Sequence, residues 1–138
     1  MSGRIRFEIS DTIAAVSTPY GKGGVALIRI SGENAVKITD RIFRLKSGKL
    51  LSECTPRKLF YGDISDPVTG EHIDDVMAVM MKAPATYTGE DTVEITCHGG
   101  ILITRDVLDA ALRAGARAAQ AGEYTRRAFV NGRIALSE

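Results

Sequence analysis

The sequence predicts an α+β domain built on a mixed sheet with helices packed on one side. Three observations carry this. Short runs at 25–31, 73–81 and 93–98 divide into two alternating rows, the two-residue period of strands. Helical spacing appears over 33–44 and 100–114, interleaved with those runs. Pro67-Val68-Thr69-Gly70-Glu71 reads as a hairpin turn, which favours antiparallel neighbours over a purely parallel sheet.

The elements follow in order. Thr12 to Val16 is a short strand, and 18–24 (Thr-Pro-Tyr-Gly-Lys-Gly-Gly) is a loop before the strand at 25–31. There Ala26, Ile28 and Ile30 form one row, with Leu27, Arg29 and Ser31 on the other. Ser31-Gly32 ends it, and a helix over 33–44 gathers Ala35, Ile38 and Ile42 on one side. After an exposed connection at 45–56, residues 57–64 form a strand, and the hairpin leads into 73–81. That run is apolar on both faces, so it is placed centrally. A strand at 93–98 is stopped by Gly99-Gly100, and a helix over 100–114 with Ile101, Leu108, Ala111 and Leu112 on one side ends at Gly115. A short strand or coil and a helix of one or two turns stopped at Gly132 complete the chain.

At 138 residues and 44% hydrophobic, the chain fits one globular domain with a real core. Eighteen Lys and Arg against 17 Asp and Glu give a net charge of +1, which argues against nucleic-acid binding by bulk electrostatics. No apolar run approaches the ~18 residues of a membrane span. The start, Met-Ser-Gly-Arg-Ile-Arg-Phe-Glu, lacks the apolar core of a secretion signal, so a soluble cytoplasmic protein is expected. Cys54, Cys97, His72 and His98 have neither disulfide-framework nor zinc-site spacing, and no metal ligands are assigned.

Residues 84–100 concentrate ionisable and turn-forming groups where loop, strand, turn and helix meet. Cys97 and His98 suggest a nucleophile and its base, but adjacent strand residues point to opposite faces, which leaves Cys97 as a small buried residue. Gly21-Lys22-Gly23-Gly24 invites comparison with a phosphate-binding loop. Val16 stands at the first glycine position, Gly23 at the Ser/Thr position, and a strand follows instead of a helix, so nucleotide binding there is rejected. A simple turn and a flexible loop that approaches a ligand or partner both stay open.

Arg29 and Glu94 are charges in mid-strand with apolar neighbours. Either they face solvent or pair with each other, or they flank a ligand pocket, the carboxylate accepting N–H donors from a heterocycle and the guanidinium fixing an anion or carbonyl. Met77, Met80 and Met81 read as core filler, and the four tyrosines are too dispersed for a base-stacking platform. Arg126, Arg127 and Arg133 could meet RNA phosphate, but read first as a solvated face.

Three segments together carry a resemblance: Pro19-Tyr20-Gly21-Lys22-Gly23-Gly24-Val25-Ala26-Leu27-Ile28-Arg29-Ile30-Ser31-Gly32, Tyr87-Thr88-Gly89-Glu90-Asp91-Thr92-Val93-Glu94-Ile95-Thr96-Cys97-His98-Gly99-Gly100, and Gly122-Glu123-Tyr124-Thr125-Arg126-Arg127-Ala128-Phe129-Val130-Asn131-Gly132-Arg133. In order and spacing, from about Asp11 to Leu136, the chain resembles the N-terminal domain of the tRNA-modification GTPase family MnmE, also called TrmE.

The resemblance implies a fold akin to the tetrahydrofolate-binding domain of the glycine-cleavage aminomethyltransferase, and homodimerisation with a folate pocket near the dimer interface. It implies folate contacts at Arg29, Glu94 and Arg133, with no catalytic residue in this portion. The cofactor is a tetrahydrofolate derivative, 5-formyl- or methylene-tetrahydrofolate. Its one-carbon unit is used with the FAD-dependent partner MnmG at C5 of the tRNA wobble uridine. The family usually has Lys at Arg133, where a planar fork now replaces a point charge, and tends to have Pro at Ala121 and Asp at Ala135. The implied layout is an N-terminal extension over 1–10, the folate-binding and dimerisation domain over 11–133, and over 134–138 the start of a linker. GTP, magnesium and potassium would belong to the helical and GTPase region beyond, so GTP hydrolysis is not expected of these residues.

Overall fold

The computed structural model describes residues 11–17, 24–98 and 100–132. In chain order the elements are β1 (Ile13–Val16), β2 (Val25–Ser31), α1 (Ala35–Asp40), β3 (Phe43–Leu45), a 3-10 turn (Leu51–Glu53), β4 (Phe60–Ser65), β5 (His72–Met81), β6 (Thr92–His98), α2 (Ile101–Arg113), β7 (Arg117–Ala118) and α3 (Glu123–Val130). The seven strands form one sheet in the order β3-β4-β5-β6-β2-β1-β7. Every pair is antiparallel except β1 with β7, so the sheet is mixed and the domain α+β.

Alternation along the strands sets the layers. Ala26, Ile28 and Ile30 of β2, Val76, Ala78 and Met80 of β5, and Val93, Ile95 and Cys97 of β6 are buried in one cluster. Ala35 and Ile38 of α1 and Val107, Ala110 and Ala111 of α2 complete it. Each large aliphatic side chain buried there stabilises the fold by about 1.5–3 kcal/mol. β5 lies inside the sheet between β4 and β6, as its doubly apolar pattern predicts, although Met77 on its outer row is 40% exposed.

Four expectations need correction. The helix predicted over 33–44 ends at Asp40, because Phe43–Leu45 pairs with β4 instead. Gly62 makes that pairing possible: a Cβ there would lie 2.2 Å from the Arg44 carbonyl oxygen and 2.7 Å from the Phe43 ring. The strand predicted from residue 57 begins at Phe60, since Arg57 adopts a φ of 67°, outside the strand region. In α2 the buried stripe is Thr104, Val107, Ala110 and Ala111, while Ile101 is 63% exposed. Helical side chains lean toward the N-terminus, so one in the first turn projects past the helix start. Finally, the helices do not all lie on one side. α1 and α2 cover the inner face, whereas Tyr124 of α3 meets Arg29 in the outer row of β2.

The β4–β5 hairpin is closed by Asp66, whose Oδ1 accepts the N–H groups of Val68 and Thr69 at 2.7 and 3.0 Å, with Gly70 at a φ of 78°. Among the described residues no helix is long and apolar enough to cross a membrane.

Candidate functional site

β2 and β6 are neighbours in a register that sets Arg29 opposite Glu94. Their outward side chains meet: Nε and Nη2 of Arg29 donate to one carboxylate oxygen, Glu94 Oε2, at 3.0 and 2.9 Å. Both side chains remain about a quarter exposed. The same cross-strand row continues to Ala15 of β1 and Val79 of β5, so small or apolar groups flank the pair. Arg29 Nη1 and Glu94 Oε1 make no hydrogen bond among the described residues, which leaves a donor nitrogen and an acceptor oxygen of the pair unused.

Helix α3 positions this pair. The Tyr124 hydroxyl donates to the Arg29 carbonyl oxygen at 2.6 Å, and the guanidinium carbon lies 5.6 Å from the centre of the Tyr124 ring. Burial pushes the phenol's pKa up, so it stays a neutral donor. Beneath Tyr124, Arg127 is 3% exposed and reaches Glu90 Oε2 at 3.1 Å and Glu123 Oε2 at 3.2 Å. This corrects the reading of Arg127 as part of a solvated face.

The buried polar groups extend as one network. Glu123 Oε2 also accepts from Arg117 Nη2 at 2.7 Å, and Arg117 Nε reaches Asp11 Oδ2 at 3.1 Å. Ser31 donates to Glu90 Oε1 at 2.8 Å, and Asn131 Nδ2 donates to the Thr88 carbonyl oxygen at 2.8 Å. The segment 86–91, the end of β2 and helix α3 are thereby tied together at the edge of the Arg29–Glu94 pair. Burial raises the pKa of the Glu123 carboxyl, but the Arg117 guanidinium, the Gln120 N–H and Arg127 outweigh it and hold it at about 2.

Of the three residues expected to contact a ligand, Arg29 and Glu94 are brought together, and Arg133 lies outside the described residues. So does the 18–23 part of the glycine loop. Cys97 and His98 separate as expected. Cys97 is 2% exposed, and burial pushes its thiol up. His98 turns outward, and its Nδ1 lies 2.9 Å from Asp74 Oδ1.

Tyr124 and the Glu90–Arg127–Glu123 network were missed from the sequence. A usable signal existed for part of it, since Glu123 and Arg127 stand four apart on one helix in the favourable acidic-first order. A second missed group lies on the same outer face, at the β4–β5 hairpin: Asp63, His72 and Asp75 converge, with donor atoms all within 4.8 Å of one another. Among the described residues, depressions also open on the surface, including one of about 450 Å³ beside Arg41, Asp63 and Asp66 and two smaller ones. One, of about 290 Å³, is lined by Asp11, Arg117, Gln120 and Arg126, and the other, of about 180 Å³, includes Val25, Tyr61 and Met77.

Residues 12–133 match the family described as "GTP-binding protein TrmE N-terminus". The chain is 51% identical over 130 residues to a tRNA modification GTPase MnmE of Alkaliphilus metalliredigens, which covers 94% of this chain and 28% of that protein. It is 54% identical over 130 residues to the MnmE of Syntrophus aciditrophicus, with the same coverage. Against the MnmE of Lactobacillus delbrueckii subsp. bulgaricus it is 55% identical over 128 residues, 93% of this chain and 27% of the relative. The chain thus spans just over a quarter of the length of these relatives.

Proposed function

The chain belongs to the family of TrmE N-terminal domains, and from that membership we propose that it is the folate-binding and homodimerising part of a tRNA-modifying GTPase. In this reading Glu94 recognises the pterin ring of a tetrahydrofolate derivative, and Arg29 and Arg133 supply positive groups around it. The whole protein works with MnmG in the cytoplasm on C5 of the tRNA wobble uridine, using the folate one-carbon unit. GTP, magnesium and potassium act in the GTPase region of the longer chain.

The observation that carries the site is the half-satisfied pair. The pairing of Arg29 with Glu94 holds both side chains in place, yet among the described residues Oε1 and Nη1 accept and donate no hydrogen bond. A carboxylate oxygen of this kind accepts the N–H donors of an aminopyrimidinone edge, and the N–H groups of Nη1 meet a carbonyl or anionic group. Because the pair is already oriented, little ordering cost remains for binding.

Isothermal titration of the chain with 5-formyltetrahydrofolate tests this, alongside its Glu94→Ala variant. Saturable heat that falls at least about tenfold in affinity in the variant is the expected result for loss of a charge-assisted contact. Absence of heat at millimolar ligand, from a folded protein, overturns the pocket.

The mutual pairing of Arg29 and Glu94 also favours a second reading, an assembly module in which the two charges serve only each other. Under it, the Arg29→Ala/Glu94→Ala double variant dimerises normally by analytical ultracentrifugation and keeps whatever folate affinity the parent shows.

A further inference from the structure

We infer that Asp63, His72 and Asp75 form a surface site for one divalent first-row transition ion of the zinc type, on the β4–β5 hairpin and independent of the folate reading. Spacing is the first reason. His72 Nε2 lies 3.4 Å from Asp63 Oδ1 and 3.0 Å from Asp75 Oδ1. Ligands at about 2.0–2.2 Å from a tetrahedral or octahedral ion stand roughly 3.0–3.4 Å from one another along the coordination edges. Two of the three separations already have that length, so little rearrangement is needed to admit the ion.

The donor set gives the class of metal. One imidazole nitrogen with two carboxylate oxygens suits zinc, cobalt or manganese, whereas magnesium and calcium prefer all-oxygen shells. The side chains are from a third to a half exposed, which leaves coordination positions for water or for a donor from another molecule.

The backbone presents the donors on a rigid frame. Asp63 and Asp75 are directly opposed across β4 and β5, and His72 follows the irregularity in register between Ile64 and Ser65. Gly62, Ile64, Asp74 and Val76 on the inner face of these strands are buried, so the ligands stand on anchored strands.

Two carboxylates facing each other across a strand pair repel, and this position therefore calls for a cation. The chain itself places one there. Lys46 Nζ lies 2.8 Å from Asp63 Oδ1 and 3.2 Å from Asp75 Oδ1, and 5.1 Å from the centre of the Tyr61 ring. Lys46 belongs to the connection after β3 and carries its charge on a flexible stem. It marks where positive charge sits, and a metal would compete with it for the same two oxygens.

The test is titration of the untagged 138-residue chain with zinc chloride in a non-chelating buffer. Cobalt absorption spectra serve as a second readout, magnesium as a control, and circular dichroism melts monitor the fold. One equivalent of zinc should bind, with the magnesium control silent. His72→Ala should weaken binding at least about tenfold, as loss of a direct ligand must exceed loss of an outer one. Lys46→Met should tighten it, and His98→Ala should leave it unchanged. No saturable zinc binding, or affinity unaltered in folded His72→Ala, overturns the site. Loss of binding in His98→Ala but not in His72→Ala also overturns it, by moving the metal to Asp74 and His98.

Discussion

Arg29 directs two guanidinium nitrogens to a single oxygen of Glu94, its partner in register on the next strand, and the carboxylate's other oxygen accepts no hydrogen bond among the described residues. With each side chain about a quarter exposed, such a pair contributes little to stability, because water competes for both charges. Glu94→Ala and Arg29→Ala should therefore each lower the unfolding free energy by no more than about 1 kcal/mol, with a coupling of at most about 1 kcal/mol in the double-mutant cycle. Urea titrations of the four proteins measure this. A loss of several kcal/mol would make the pair structural and remove the basis for treating it as a ligand contact.

Arg127 is the opposite case, because it is 3% exposed and serves Glu90 and Glu123 together. Removing one member of a buried charge network leaves the rest desolvated and unpaired, at a cost of about 3–5 kcal/mol. Arg127→Ala should fall near the lower end, since Glu123 keeps Arg117 and Glu90 keeps Ser31. Denaturant unfolding checks it, and a loss below about 1 kcal/mol would return Arg127 to the solvated face read from the sequence.

These two arginines show what a sequence makes legible. Arg29 was found because it interrupts an apolar alternation, a local signal, and its neighbours fix which face it takes. Arg127 sits among Thr125, Arg126 and Ala128, where charge is unremarkable, and its burial follows from Glu90 in a distant segment. The strands at 25–31 and 93–98 were legible through their period, and the hairpin through Pro67 and Gly70. The swap of Phe43–Leu45 from helix to strand was not, since Ala35, Ile38 and Ile42 continue the helical spacing and only the bare backbone of Gly62 across the sheet decides otherwise. Asp63, His72 and Asp75 are likewise joined by cross-strand register, which ligand-spacing rules within one segment do not see.

Acid should weaken the α3 network through Glu123. Burial alone would raise its carboxyl pKa, but Arg117, the Gln120 N–H and Arg127 prevail and lower it from 4.5 to about 2. A depressed carboxylate contributes stability that is fully present above its unfolded value and is lost as pH falls through the folded one. The melting temperature should therefore drop between pH 4.5 and 2, and the slope there should be shallower in Glu123→Gln, whose side chain no longer titrates. Equal slopes in the two proteins would mean that other carboxylates dominate.

The two thiols should react unequally. Cys97 is buried with its pKa raised by desolvation, and its Sγ lies 3.6 Å from the Ala26 carbonyl oxygen, whereas Cys54 is half-buried on the turn after Leu51–Glu53. Iodoacetamide acts on accessible thiolate, so native protein should be modified at Cys54 first, with Cys97 labelled only on unfolding. Peptide mass mapping over time reads both sites. Early labelling of Cys97 would contradict its place in the core.

Gly62 should tolerate no side chain, because the seam between β3 and β4 closes over it. A methyl group there would stand 2.2 Å from the Arg44 carbonyl oxygen, which is backbone of the paired strand, and 2.7 and 2.8 Å from the Phe43 ring. The ring is fully buried and has no free direction in which to turn, so the strain falls on the three-residue strand Phe43–Leu45. Overpacking of this kind costs about 1–3 kcal/mol, and a short edge strand is the weakest partner available to absorb it. Gly62→Ala should therefore lower global stability by that amount. It should also speed amide hydrogen exchange at Leu45, whose N–H bonds to the Lys49 carbonyl oxygen, before exchange rises at β6 in the middle of the sheet. Uniform acceleration across β6 and β3 would instead mean that the edge strand and the central strands unfold as one unit.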